Sequence, residues 1–282
     1  MQKVILITGA SSGFGRICAE WFLRAGWQVF GTSRDLANLD LASRDLAQRD
    51  RASADVADRI RWIELDVRVE ASVQAAVRQV LDQAGHIDVL FNNAGFAMLG
   101  AIEETTAEEA RNLFDTNVLG LLAITRAVLP SMRARQQGTI VMMSSISGLM
   151  GVPYHGVYAA SKHAVEAIAQ ALRLEVEPFG IRVGVIEPEA HRTGIQMVQP
   201  SQPVSVYDKP RQLVGDSIEQ QIRTGPDPQN IARILYGMAT SAQPPYRRLA
   251  GKKALLIGLL RRFVSDAGLH WISRKSFGLS QP

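Results

Sequence analysis

Apolar positions along this chain come as short continuous runs alternating with longer stretches of helical period. Residues 3–8 (KVILIT) form the first short run, which is followed by a glycine turn and an amphipathic stretch through Trp21, Phe22 and Leu23; strand, turn and helix are the elements predicted. Further short runs predict strands at 28–32, 61–65, 88–91, 139–143 and 181–186. Helical period runs over 70–84, stopped by Gly85, and over 107–135. After a loop marked by Gly148, Gly151 and Pro153, another helical stretch begins and should stop at Glu177-Pro178. Two regions carry less pattern. Residues 196–228 are polar, proline-bearing and weakly periodic, as a mobile substrate lid would be. Residues 246–282 hold eight Lys or Arg against one acid, interleaved with Leu, Ile, Phe and Trp271. That C-terminal extension reads as a helix pair over a pocket, or as a basic amphipathic helix at a membrane surface.

Composition narrows the class. With 282 residues, 46% hydrophobic and 21% charged, the chain buries a substantial core as one domain spanning 1–282. A net charge of +4 is too small to argue for nucleic acid, although it favours anionic ligands. The single cysteine, Cys18, excludes an internal disulfide and a cysteine-rich zinc site and suits core packing. The five histidines show no metal-ligand spacing, so no metal is expected; His155 and His163 are incidental or substrate-facing. A strand beginning almost at Met1 leaves no room for a secretory signal, and the apolar run 254–260 is too short to cross a bilayer. The expectation is a cytoplasmic protein without a transmembrane segment, with peripheral membrane contact left open.

The chemistry concentrates between Gly138 and Lys162. Tyr158 and Lys162 stand four apart on one helix and so share a face, while Ser145 lies at the end of the preceding strand. A phenol with a pKa of about 10 is a poor base at neutral pH, and an adjacent ammonium lowers it by stabilising phenolate. Tyr158 is then the acid or base, Lys162 the cation, and the Ser145 hydroxyl a donor to a substrate oxygen. An isolated pair of this spacing more often packs passively. The N-terminal turn, Gly9-Ala-Ser11-Ser12-Gly13-Phe14-Gly15, changes that balance. Glycines admit a pyrophosphate close to backbone, and a helix N-terminus offers it unpaired N–H groups. Ser11 and Ser12 add hydrogen bonds to phosphate or serve only the turn. Gly-xxx-Gly-x-Gly is not the literal dinucleotide fingerprint.

Together Thr8-Gly9-xxx-Gly13-x-Gly15, Asn92-Asn93-Ala94-Gly95, Asn117, Ser145 and Tyr158-xxx-Lys162 resemble the short-chain dehydrogenase/reductase family in order and spacing over roughly residues 1–195. Within it, GLMGVPYHGVYAASKHAVEA is similar to reductases acting on steroids and retinoids, particularly the type 1 17β-hydroxysteroid dehydrogenase group. The resemblance implies a Rossmann-like fold: a doubly wound parallel sheet of about seven strands in a three-layer α/β/α sandwich, with the cofactor at the strand C-terminal edge. It implies hydride transfer between nicotinamide C4, from its pro-S face, and a ketone or secondary alcohol. Tyr158 exchanges the proton, Ser145 positions the oxygen, Lys162 grips the ribose, and Asn117 disturbs its helix to hold a relay water. It places Asp66 on the adenine amino group with Val67 nearby, and Thr193 on the carboxamide; on residue grounds Asp66 serves equally as a helix N-cap. Asn93, Ala94 and Gly95 approach the cofactor sugar or tie loops together. After the second strand, the position where an acid would bind the ribose of NAD holds Thr32 or Ser33, and Arg34 follows, which favours NADP(H) over NAD(H). Residues 34–43 and 44–53 match at seven of ten positions, a local duplication read as an exposed helix. Glu189 follows Pro188 where the family usually has glycine, and is expected to bring a side chain beside the redox ring and retune turnover. The 107–135 and Tyr158 helices imply a homodimer or homotetramer, and a small-molecule carbonyl or alcohol, bulky and hydrophobic, is the implied substrate. A nucleotide-sensing regulator that has lost catalysis is the alternative.

Overall fold

A computed structural model describes residues 1–37, 39, 59–195 and 197–279; most of the duplicated 34–53 segment lies outside the described residues. Its centre is a parallel sheet of seven strands. These are β1 (Val4–Ile7), β2 (Gln28–Ser33), β3 (Arg61–Glu64), β4 (Val89–Asn92), β6 (Gly138–Met143), β7 (Ile181–Pro188) and β9 (Arg247–Ala250), in the order β3-β2-β1-β4-β6-β7-β9. Two short strands, β5 (Ala97–Met98) and β8 (Met197–Val198), pair separately in parallel.

Side-chain alternation along the central strands divides the core. Val4 and Leu6 of β1 face one way, onto α2 (Glu70–Ala84), α4 (Gly120–Ala134) and α5 (Gly156–Val176); Ile5 and Ile7 face the other, onto α1 (Gly13–Arg24) and α7 (Gln229–Thr240). Cys18 is buried in the second core, where burial pushes its thiol up. Helices on both faces of a parallel sheet make the three layers expected. The chain leaves β1 toward β2 on one side and returns to β4 on the other, which opens a crevice at the C-terminal edge between β1 and β4.

Several boundaries follow from local chemistry. Gly85 closes α2 with φ +78°, a conformation that favours glycine. A reciprocal capping box, with Thr106 accepting from the Glu109 N–H, opens α3 (Ala107–Phe114). A π-helical turn over Asp115–Leu119 joins α3 to α4, so the long 107–135 pattern is one helix with a disturbed centre at Asn117. Although residues 107–134 are long and apolar enough to cross a membrane, half of their most apolar 18-residue window is buried inside the protein.

The structure adds to the pattern in two places. Residues 196–228 contain a regular helix, α6 (Asp208–Thr224). Residues 246–282 begin with an edge strand, β9, before two helices, α8 (Lys252–Phe263) and α9 (Asp266–Ser276). Charged residues at the start of β9, Arg247 and Arg248, masked it in the hydrophobic pattern.

Candidate active site

Four neighbouring strands, β1, β4, β6 and β7, deliver the candidate residues to one edge of the sheet. After β1 the backbone turns through Gly9 (φ +64°) and Gly13 (φ +54°) into α1, whose first turn carries no acidic residue. A Cβ at Gly9 would come within 3.0 Å of the Ala94 backbone, and one at Gly15 would overlap the Gly9 carbonyl. Space above Gly13 is open. Ser12 is the N-cap of α1 without a side-chain cap bond, and Ser11 and Phe14 stand beside it on the same turn. Bare N–H groups at a helix start with glycine access form an anion cradle.

The loop after β4 is tied to this turn. Thr8 Oγ1 accepts from the backbone N–H groups of Asn93 and Ala94, both at 2.9 Å, and Asn93 Nδ2 donates to the carbonyls of Thr8 and Gly9 at 2.9 and 3.0 Å. Asn93 is therefore a structural tie. Gly95 stays bare for the same reason as Gly15: its Cβ would lie 2.8 Å from Asn117 Oδ1. Asn117 is buried and bonds across, donating to Phe96 O at 3.0 Å and Ser161 Oγ at 3.2 Å, and accepting from Phe96 N at 3.0 Å.

Ser145, Tyr158 and Lys162 converge as their spacing predicts. Ser145 Oγ accepts from Ser147 N at 3.1 Å, which fixes its rotamer, and it lies close enough to the Tyr158 phenol to pull its pKa down. Lys162 is buried; its Nζ lies 5.7 Å from the Tyr158 ring centroid and donates to Met143 O, at the end of β6, at 2.9 Å. Electrostatics depart from the expectation of a lowered phenol pKa. Burial pushes the Tyr158 phenol up to about 12, against a smaller opposing pull from Ser145. Burial likewise brings Lys162 down to about 8, with Glu166 opposing. Desolvation is the largest cause of both shifts.

At the adenosine end, Thr32 is occupied structurally: its Oγ1 accepts from Gly9 N at 3.2 Å and its carbonyl from Ala10 N at 2.9 Å. Arg34 is exposed just beyond β2. Asp66 does not cap α2, whose N-cap is Val69. It instead holds the Arg68 guanidinium at 2.7 Å, and that bond, with Arg34 further off, keeps its carboxyl below the usual range despite some burial. Val67 packs in the core against Gly120.

The loop after β7 corrects one expectation. Glu189 does not project over the crevice; its Oε2 accepts from Ala254 N at 2.8 Å, so it caps α8. Pro188 ends β7, and the Thr193 hydroxyl reaches only the His191 carbonyl at 3.5 Å. Sequence reasoning missed His191. It is buried, packs edge-on against Phe14 with centroids 5.4 Å apart, and has an Nε2 without a partner. His155 is similar: buried, 4.6 Å from the Tyr158 ring centroid, its Nδ1 unpaired, with burial bringing it down to about 4. A lone histidine carries no spacing signal: the sequence offers His155 only as incidental or substrate-facing, and the fold alone shows its ring buried beside the phenol and His191 against Phe14. The bare glycines, the uncapped helix start and the orphaned His191 nitrogen beside Phe14 fit a dinucleotide phosphate held along this edge.

Among the described residues no cluster of His, Cys, Asp or Glu suits a metal. Comparison with known proteins decides the family, because the short chain dehydrogenase pattern matches residues 3–203. The chain is a short-chain dehydrogenase. A 3-ketodihydrosphingosine reductase of Bacteroides thetaiotaomicron is 36% identical over 88% of this chain and 88% of its own length. A short-chain dehydrogenase structure from Streptomyces avermitilis matches with TM-score 0.79 and 35% identity, covering 100% of this chain and 99% of that one. Structures with bound cofactor include ElxO with NADP (TM-score 0.72, 26% identity, 89% and 97% covered). A Burkholderia phymatum relative holds NAD (TM-score 0.76, 28% identity, 93% of each chain covered). This short-chain dehydrogenase is thus an oxidoreductase of CH–OH and C=O groups that uses a nicotinamide dinucleotide.

Proposed function

We propose that this enzyme reduces a ketone on a long apolar substrate with NADP(H). The Tyr158 phenol, beside Ser145 inside the crevice and one helical turn from Lys162, carries this reading. Bound nicotinamide supplies the hydride at its C4. Tyr158, held protonated by burial, then gives its proton to the carbonyl oxygen as charge develops there, while the Ser145 hydroxyl steadies that oxygen. A phenol raised to about 12 is protonated at neutral pH, the form a proton donor must have. Lys162 holds its charge at neutral pH and stabilises the phenolate left behind. Asn117, bonded to Ser161 one residue before Lys162, maintains the route by which the proton is replaced.

Arg34 and Arg68 both stand near Asp66 at the adenosine end, and two guanidinium groups there support a 2′-phosphate over a bare ribose. Neighbours that bind NADP and NAD leave the choice to these side chains. Similarity to a 3-ketodihydrosphingosine reductase supports a long-chain keto substrate. Initial rates of NADPH and NADH oxidation with 3-ketodihydrosphingosine and with steroid and retinoid carbonyls test this reading. Tyr158→Phe should lower kcat by 100-fold or more, of the order a positioned general acid contributes, and leave NADPH affinity intact. Consumption of NADPH that survives the substitution removes Tyr158 as the proton donor.

A further inference from the structure

The helix α8 is built inside out. Its small residues Ala254 and Gly258 face the protein; a Cβ at Gly258 would press on Leu249. Its large apolar residues face water: Leu255 is 58% exposed, Leu256 55%, Leu259 56% and Phe263 81%, with Trp271 of α9 at 59%. At about 100° per residue, the four on α8 fall within one arc of about 100°, a continuous ridge rather than scattered exposure. At the start of that ridge a cleft of about 380 Å³ is lined by Asn230, Arg233, Arg248, Lys252 and Leu255, among others. The three cations are exposed, and none forms an ion pair with a described residue.

From this geometry we infer that α8 and the cationic cleft form a docking surface for a bilayer containing anionic phospholipid. The ridge enters the acyl boundary while Arg233, Arg248 and Lys252 meet headgroup phosphates. Paired apolar and basic signals of this kind are what reversible membrane attachment requires. Charge decides against the two other partners that the face admits. A second copy docked by twofold symmetry would bring these cations against their equivalents, since residues 246–282 contain eight Lys or Arg and one acid. A nucleic acid would satisfy the cations and leave the leucine ridge in water. Helix α8 also adjoins the site on its other face: Glu189 holds its first turn, and it packs on the Ile146–Gly148 turn that follows Ser145. A docked enzyme would therefore meet a lipid-dissolved substrate close to its crevice. The docking inference does not depend on which substrate is reduced.

Flotation of the full chain with phosphatidylcholine vesicles, with and without phosphatidylglycerol, tests it. Binding is expected only to the anionic vesicles and should weaken with added salt. Leu256→Glu with Leu259→Glu should abolish flotation. Arg233→Gln, Arg248→Gln and Lys252→Gln combined should lower the partition coefficient roughly a hundredfold, allowing about 1 kcal/mol per cation. NADPH affinity should be unchanged in both variants. An intact chain that floats with neither vesicle, or equally with both, overturns the inference. So does an assembly in sedimentation velocity that breaks down in the leucine variant, which would make the ridge a contact between copies. DNA binding that survives the leucine variant but not the cation variant would instead assign the cleft to nucleic acid.

Discussion

At Glu189 a negative charge sits against the positive end of a helix rather than against the nicotinamide. Its carboxylate takes the N–H of Ala254, one of the donors that an α-helix leaves unsatisfied in its first turn. Gly251 makes room for it: at φ +115°, a Cβ there would overlap the carboxylate. The consequence is a stability role. Glu189→Ala should cost about 1 kcal/mol, as loss of a helix cap does, read as a lower midpoint in thermal unfolding. The same variant should leave kcat for a short, soluble ketone unchanged; a changed kcat with an unchanged midpoint would return the residue to the redox ring. Sequence showed Glu189 as a departure from its family but not where the side chain goes, because its partner is 65 residues away. Tyr158, Lys162 and Ser145 were legible for the opposite reason: two of them are fixed by helix spacing and the third by the end of a strand. Their protonation was not legible, since burial rather than proximity sets it.

Elements differ in how they are held, and the 199–224 segment is held by carboxylates from the turn before α3 and from the first turn of α3. Glu104, with no exposed side-chain surface, accepts from the backbone N–H groups of Ala101 (2.8 Å) and Val204 (3.0 Å) and pairs with Arg211 of α6. Glu109 adds Ser201 N at 2.7 Å, and the Tyr207 hydroxyl donates to Glu103 at 2.7 Å. Burial alone would raise the Glu104 pKa, but the Val204 and Ala101 N–H groups and Arg211 outweigh it and hold the carboxyl below its ordinary value. A depressed carboxyl contributes stability that is present above its unfolded pKa of about 4.5 and is lost as pH falls through the folded value. This segment should therefore loosen under acid before the sheet does. Glu104→Gln should loosen it at neutral pH, seen as faster hydrogen exchange confined to residues 199–224 and a raised KM at little changed kcat. Equal exchange in variant and parent would show that the latch does not hold the segment. Helix α6 was missed in the sequence because its stretch is polar on most faces; its order comes from these long-range ties, which local pattern does not encode.

Taken as a whole, the molecule closes its last strand with a buried charge cluster. Arg247 of β9 reaches Glu187 of β7 at 2.8 Å and Glu166 of α5 at 2.7 Å, so one guanidinium joins the sheet edge to the helix that carries Tyr158 and Lys162. Burial, and to a lesser degree the nearby Glu166, raise the Glu187 carboxyl against the pull of Arg247. The parallel sheet and its crevice were readable from alternating runs and from family motifs, whereas this closure was not, since it rests on an arginine-led strand that no hydrophobic pattern marks. Arg247→Met should leave the two acids facing each other without their cation. The cost at neutral pH should be about 2–3 kcal/mol, below the ~3–5 of a fully buried pair because Arg247 is partly in water. The pH dependence gives the sharper test. A carboxyl whose folded pKa is raised contributes stability below its unfolded value and loses it as pH rises. Without Arg247 the folded value lies further above about 8, so the deficit of the variant should be flat up to about pH 7 and grow as pH rises through 8, where only the parent gives up the proton. Glu187→Gln in the same background should flatten the curve, because an amide needs no proton to stay neutral. A deficit independent of pH would mean that Arg247 acts by packing on Tyr246, whose ring centroid lies 5.8 Å from its guanidinium carbon, and not by charge.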